Sequence, residues 1–267
     1  MNATRWSAER VKSLKGQAPF ACSTAYDYAM ARLVDAAGIP LILVGDSLGT
    51  TSLGFPTTLP VTMEMMLHHV AAVRRGVQRA LLVADMPFLS YHLSTEEALR
   101  NAGRFLQEAG ADAVKLEGGA CRAEVIRALV ANGIPVMAHL GVLPQSVKAS
   151  GYAAKGRTED EVARLEDDVR AVAEAGAFCT VLECVMADVA ERLTAISPVP
   201  TIGIGSGNAC DGQILVIADL LGLTDGPLPR FVKRYATCGD IAKAAVAAYV
   251  ADVQSRAYPG PEHVYRA

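Results

Sequence analysis

None of the six cysteines (Cys22, Cys121, Cys179, Cys184, Cys210 and Cys238) stands in a C-x-x-C pair. That argues against a zinc or thioredoxin-like centre. Cys179 and Cys184 flank one apolar segment at an odd separation, so they point to opposite faces, and buried reduced thiols are expected. A basic excess is also missing. The net charge is −3 and the pI near 6.0, which leaves no field to hold nucleic acid or an anionic membrane. No apolar run is long enough to span a bilayer. The stretch Met1 to Gln17 is polar and charged and lacks the apolar core of a signal peptide. No interdomain linker or low-complexity tract interrupts the chain. These absences predict a soluble, cytoplasmic protein without nucleic-acid or membrane partners.

What is present is apolar and periodic. Of 267 residues, 51% are hydrophobic and 20% charged, enough for one large core. Short apolar runs alternate with helical patterns. Strands are expected at 20–24, 41–45, 81–84, 113–116, 134–138, 178–182 and 201–204. Ile214 to Leu221 reads equally as an eighth strand or a helix. Helices are expected at 5–16, 27–37, 62–75, 94–108, 121–132, 159–175, 187–195 and 241–253. In the last, Ile241, Ala245, Ala248, Tyr249 and Val253 fall near helical spacing. Two long loops, 50–60 and 144–158, exceed the usual strand-to-helix connection. Alternating strands and helices define a parallel α/β protein, and eight units favour a single closed (β/α)8 TIM barrel over 1–267. An N-terminal helical segment and a C-terminal helix would flank it.

Five of the apolar runs finish in one ionisable residue. Leu41–Val44 leads through Gly45 to Asp46, 80–84 to Asp85, and 113–116 to Glu117. The run 134–138 leads to His139, and 179–182 to Glu183. In a barrel, such strand ends converge on one mouth. Each acid could instead cap a helix or sit on the surface. Three carboxylates gathered in one apolar cavity would repel unless a cation neutralised them. All-oxygen donors without cysteine suit a hard ion, Mg2+ or Mn2+, acting as a Lewis acid on a carbonyl.

Lys115 lies two residues before Glu117 and shares its face. Inside a barrel it would be a carboxylate or phosphate anchor, or a Schiff-base nucleophile; outside, it would snorkel between helices. Ser47 could donate to a bound anion or cap the next turn. His139 could line the cavity or be a satisfied core histidine. Glu183 lies among apolar residues, which would raise its pKa and let it carry a proton, unless it is a buried ion-pair partner. The turn 203–208, Gly-Ile-Gly-Ser-Gly-Asn, resembles a phosphate-binding turn but lacks the later glycine of a dinucleotide fingerprint. A metal, an anchoring cation and a separate glutamate together point to carbon–carbon chemistry beside the carbonyl of a 2-oxo acid.

The order of motifs resembles the ketopantoate hydroxymethyltransferase (3-methyl-2-oxobutanoate hydroxymethyltransferase) family. The matching stretches are Thr24-Ala25-Tyr26-Asp27, Val44-Gly45-Asp46-Ser47-Leu48-Gly49, Thr58-Leu59-Pro60-Val61-Thr62 and Ala84-Asp85-Met86-Pro87-Phe88. Then follow Val114-Lys115-Leu116-Glu117-Gly118-Gly119, His139-Leu140-Gly141 with Pro144-Gln145-Ser146-Val147, Leu182-Glu183-Cys184-Val185, and Gly203-Ile204-Gly205 with Asp211-Gly212-Gln213. The tail, Tyr258-Pro259-Gly260-Pro261-Glu262-His263, is similar too. Ser150-Gly151 and Phe55-Pro56-Thr57 depart from the family's usual pattern.

The resemblance implies a barrel of the phosphoenolpyruvate mutase/isocitrate lyase superfamily. It implies transfer of a hydroxymethyl group from 5,10-methylenetetrahydrofolate, a reduced folate, to 3-methyl-2-oxobutanoate through a Mg-stabilised enolate. The product would be 2-dehydropantoate, for pantothenate biosynthesis. Asp46, Asp85 and Glu117 match the family's Mg2+ site, one ion per subunit, in direct or water-mediated contact. Ser47 and Lys115 match residues on the substrate carboxylate, with Asp46 and Asp85 nearby. Glu183 matches the proton-transfer residue, and His139 lines the pocket. The family assembles as a homodecamer. The competing readings are a folate-independent lyase or mutase on a 2-oxo acid and a non-catalytic barrel serving as a binding subunit. The first is disfavoured because no Lys-Lys-Cys-Gly-His-type loop occurs, the second because the ionisable set is intact.

Overall fold

The computed structural model describes residues 5–266, the side chain of Ser150 excepted; residues 1–4 of the polar N-terminal stretch lie outside the described residues. Eight parallel strands close into a barrel in simple sequence order. They are β1 Phe20–Thr24, β2 Leu41–Val44, β3 Leu81–Asp85, β4 Ala113–Glu117, β5 Val136–Gly141, β6 Cys179–Glu183, β7 Thr201–Ile204 and β8 Gly212–Leu215. The helices between them are α1 Ala8–Lys12, α2 Tyr28–Ala36, α3 Leu48–Thr51, α4 Met63–Gly76, α5 Thr95–Gln107, α6 Ala123–Ala131, α7 Val147–Ser150, α8 Glu159–Glu174 and α9 Ala187–Ile196.

Capping residues start the long outer helices where the sequence places them. The side chains of Asp27, Thr62, Ser94 and Thr158 accept from Met30, Met65, Glu97 and Glu161 N–H respectively, satisfying donors that a helix start leaves free. Acidic first turns on α5 and α8 add a favourable interaction with the helix dipole.

The barrel interior has two zones. Toward the amino ends of the strands, Cys22, Leu41, Leu43, Leu81, Val83, Met137, Cys179, Val181, Ile202 and Ile214 form one buried cluster. Val11 from α1, Ala113 and Phe178 complete it, with Trp6 and Phe20 packed against it. Each fully buried Leu, Ile or Val contributes about 1.5–3 kcal/mol, so this plug holds the barrel shut. Toward the carboxyl ends the same inward rows turn ionisable. The register explains how. Val83 pairs with Ala113 and Asp85 with Lys115. Lys115 pairs with Met137, Glu117 with His139, and Gly141 with Glu183. Neighbours in register on parallel strands share a face, so Asp85, Lys115, Glu117, His139 and Glu183 all point inward.

Several elements differ from their sequence reading. The first helix covers only Ala8–Lys12, because Ser7 caps it and the chain then turns back through Gly16. The fifth strand runs on to Gly141, hydrogen-bonded to both neighbours, so His139 lies within the strand. The ambiguous segment after Gly212 is both things in turn: strand to Leu215, then the short α10, Ile217–Leu220. Both long loops begin with short helices, α3 and α7.

By its internal contacts the chain divides into two compact units, Met1–Val216 and Ile217–Ala267. The barrel lies wholly in the first. The second contains α10 and α11 Cys238–Ser255, which is longer than its apolar spacing predicts. Ile241, Tyr249 and Val253 on it are exposed, as is Val246. Among the described residues no helix is long and apolar enough to cross a membrane.

Candidate active site

The ionisable residues that end the strands meet at the carboxyl-terminal mouth of the barrel. The Lys115 ammonium donates to both oxygens of Asp85 at 2.8 Å. Asp46 follows β2 at the turn into α3, and its backbone N–H donates to Asp85 Oδ2 at 3.2 Å. Asp46, Asp85, Lys115, Glu117 and His139 are all at most 5% exposed. Glu183 is more open, its side chain 20% exposed toward solvent.

This crowding sets the protonation states. Burial pushes the Asp46 carboxyl up, and the Asp85 charge adds to it, to about 7, although Lys115 and Gln145 pull the other way. Glu117 is pushed well above the usual carboxylate range, first by burial and then by Asp46 and Asp85, with Lys115 opposing. For Lys115 burial disfavours the charge, but Asp85, Glu117 and Asp46 outweigh it and hold the ammonium above the ordinary lysine range. Burial, reinforced by Lys115, lowers His139. Its imidazole is therefore neutral at pH 7. His139 Nε2 lies 3.3 Å from Glu183 Oε2 and Nδ1 3.6 Å from Glu117 Oε1. Neither approach has hydrogen-bond geometry, so both ring nitrogens and Glu117 Oε1 are buried polar atoms without a hydrogen-bond partner.

Ser47 does not cap α3 with its side chain. Its hydroxyl pairs instead with Tyr26 Oη at 2.8 Å. The glycine-rich turn after β7 serves β6. Ser206 Oγ donates to Leu182 O at 2.7 Å and accepts from Val185 N–H at 3.0 Å, bracing the backbone on either side of Glu183. Gly141 completes that brace. Its φ of +97° suits glycine, and a Cβ there would run into the Glu183 carbonyl oxygen.

Gln145 is the residue that strand patterning does not reveal. It is 3% exposed, on the turn before α7. Its side-chain amide donates to Asp46 Oδ2 and to Met86 O, both at 2.9 Å, and accepts from Tyr91 Oη at 2.7 Å. Its backbone N–H donates to Glu117 Oε2 at 3.1 Å. Only the appearance of Pro144-Gln145-Ser146 among the shared motifs marked it beforehand.

A hard cation fits this donor set in chemistry. Asp46 and Glu117 are buried carboxylates with raised affinity for protons, and one oxygen of Glu117 has no hydrogen-bond partner. Among the described residues, however, no three His, Cys, Asp or Glu side chains already stand close enough to grip an ion. Asp85 is committed to Lys115, and Asp46 to Gln145.

A closed parallel barrel with an acid–base cluster at the carboxyl ends of its strands defines a (β/α)8-barrel enzyme. Solved structures bear out the fold. A crystal structure of oxaloacetate acetylhydrolase with oxalate superposes with a TM-score of 0.61 at 16% identity, covering 97% of this chain and 90% of that one. A 2,3-dimethylmalate lyase of the PEP mutase/isocitrate lyase superfamily superposes with a TM-score of 0.57 at 17% identity, covering 95% and 87%.

Sequence gives the family. The sequence model described as ketopantoate hydroxymethyltransferase matches residues 5–261. A 3-methyl-2-oxobutanoate hydroxymethyltransferase from Pseudothermotoga lettingae is 50% identical over 262 residues, 98% of this chain and 99% of that protein. Its namesake from Syntrophus aciditrophicus is 51% identical over 243 residues, covering 91% and 89%. The chain belongs to the ketopantoate hydroxymethyltransferase family, and it is a transferase.

Proposed function

We propose that this protein transfers a hydroxymethyl group from 5,10-methylenetetrahydrofolate to 3-methyl-2-oxobutanoate, giving 2-dehydropantoate. The observation that carries this reading, beyond family membership, is the buried Lys115 ammonium held charged among carboxylates, with Glu183 on the far side of His139.

A lysine held charged is a poor Schiff-base nucleophile and a good anchor for a carboxylate. Lys115 therefore binds the carboxylate of the 2-oxo acid, assisted by the Ser47 hydroxyl, which Tyr26 orients. Asp46, Asp85 and Glu117 would hold Mg2+, directly or through water. When bound, the ion polarises the 2-oxo group and stabilises negative charge on its oxygen. Glu183, braced by Ser206 and partly open to the mouth, takes the proton from C3. Neutral His139 lines the space between Glu117 and Glu183 and adds no competing charge. C3 then bonds to the one-carbon unit. Both bonds from that carbon to the folate nitrogens break. Water supplies the hydroxyl oxygen and one of its own protons stays on it, while the proton taken from C3 and the second water proton end on the two released nitrogens of tetrahydrofolate.

A homodecamer in the cytoplasm, with 1–267 acting as one functional domain, completes this reading. The exposed apolar residues Ile241, Val246 and Tyr249 of α11 support assembly. The test is proton exchange at C3 of 3-methyl-2-oxobutanoate, followed by NMR in deuterated water with Mg2+ and without folate. Exchange is expected, and its absence overturns the proposal.

A further inference from the structure

Gln145 belongs to a small buried network in which every donor of its side chain is used. The Tyr91 hydroxyl has one proton, and its shortest partner is Gln145 Oε1 at 2.7 Å. That leaves a lone pair to accept from Glu117 N–H at 3.2 Å. With Oε1 committed, both Nε2 protons are spent on Asp46 Oδ2 and Met86 O. The amide cannot flip, because Oε1 would then face a carboxylate and a carbonyl, both acceptors. Tyr91 itself is 1% exposed and locked in place. Gln145 thus gives one N–H to Asp46 from its side chain and one to Glu117 from its backbone. It binds one oxygen of each carboxylate. Glu117 Oε1 remains buried and without a hydrogen-bond partner.

We infer that Gln145, with its amide oriented by Tyr91, is a positioning residue that sets the spacing and orientation of Asp46 and Glu117 for a divalent cation. The inference rests on the cation site of the proposed function. Neither residue touches substrate in this role. Their effect passes through the two carboxylates, so it should register in ion affinity more than in the proton-transfer step. Supporting groups of this kind typically change metal affinity 10–100-fold when removed.

The test is calorimetric titration of the full chain with Mg2+ alone, for wild type, Tyr91→Phe and Gln145→Ala. Circular dichroism and thermal midpoints of the ion-free proteins check folding. Tyr91→Phe keeps the ring and guards against the case in which Gln145→Ala does not fold. Mg2+ affinity should fall roughly 10-fold in Tyr91→Phe and up to roughly 100-fold in Gln145→Ala. Raising Mg2+ should restore C3-proton exchange to Tyr91→Phe, a rescue that general loosening of the fold would not produce. Wild-type affinity in a folded Tyr91→Phe would overturn the positioning role and leave the cation site standing. A wild-type protein that binds no Mg2+ would overturn the cation site and this inference with it.

Discussion

Asp85 and Lys115 are partners across adjacent parallel strands, and the Lys115 ammonium reaches both Asp85 oxygens at 2.8 Å in a site almost closed to water. The pair does two things. It brings a permanent positive charge to the barrel mouth, and it neutralises one of three crowded carboxylates. A buried pair is costly to break, because the survivor is left as an uncompensated charge.

Lys115→Met should therefore weaken both folding and binding. Urea denaturation at neutral pH should show a loss of about 3–5 kcal/mol. The KM for the 2-oxo acid should rise roughly 100-fold, as expected for losing a buried charged partner. A KM within twofold of wild type would remove Lys115 from substrate anchoring.

Glu183→Gln keeps the shape of the side chain and removes its basicity. C3-proton exchange should drop by about 10²–10⁴-fold, the usual worth of a positioned general base. Mg2+ affinity measured by calorimetry should stay at the wild-type value, because Glu183 is outside the proposed donor set. Unchanged exchange would sink its role.

Asp46, pushed up to about 7, makes ion binding pH-dependent near neutrality. The ion needs the carboxylate, so Mg2+ affinity should fall as pH drops below about 7 and level off above it. In the ion-free protein the linkage runs the other way. Unfolded Asp46 ionises near 3.8, whereas folded Asp46 keeps its proton to about 7. Its contribution to stability is full below the first value and is lost as pH rises through the second. Calorimetry from pH 5.5 to 8.5 checks the first effect, and thermal melts with chelator check the second.

Asp211 is a carboxylate of the opposite kind, tied to backbone and lysine donors that join distant segments. It starts the approach to β8 and accepts from Thr201 N–H at 2.8 Å, Gly16 N–H at 3.0 Å and Lys15 Nζ at 3.0 Å. Burial pushes it up, but these donors outweigh burial and hold it below the usual carboxylate range. Its stabilisation is present above the ordinary aspartate pKa and is lost as pH falls through the lowered one. Asp211→Ala should cost roughly 3 kcal/mol at pH 7, read from urea melts, and the gap to wild type should narrow in acid.

The barrel and most of its mouth were legible because both follow from local rules. A strand alternates faces every residue, so one charge at the end of an apolar run points where that run points. That logic places Asp85, Lys115, Glu117, His139 and Glu183 on one surface before any pairing is known. Helix caps at Asp27, Thr62, Ser94 and Thr158 are equally local. The C-terminal helix exposed the weakness of the same reasoning. Its apolar spacing implies a buried face, yet Ile241, Tyr249 and Val253 lie open, since periodicity names a face without naming what covers it.

Folding decided the contacts between distant segments. Gln145 meets Asp46 across 99 residues and Tyr91 across 54, and nothing in its own neighbourhood of turn residues foretells either. In sequence Ser206 belongs to a turn that resembles a phosphate-binding one, but tertiary packing turns its hydroxyl onto the backbone around Glu183. Local periodicity and motif order are enough to set the barrel class, the run-ending acids and the family, while the eighth strand is decided only by its pairing with β1 and β7. Which oxygen of each acid is engaged, and which is left free, depends on side chains that only closure of the barrel brings within hydrogen-bonding distance.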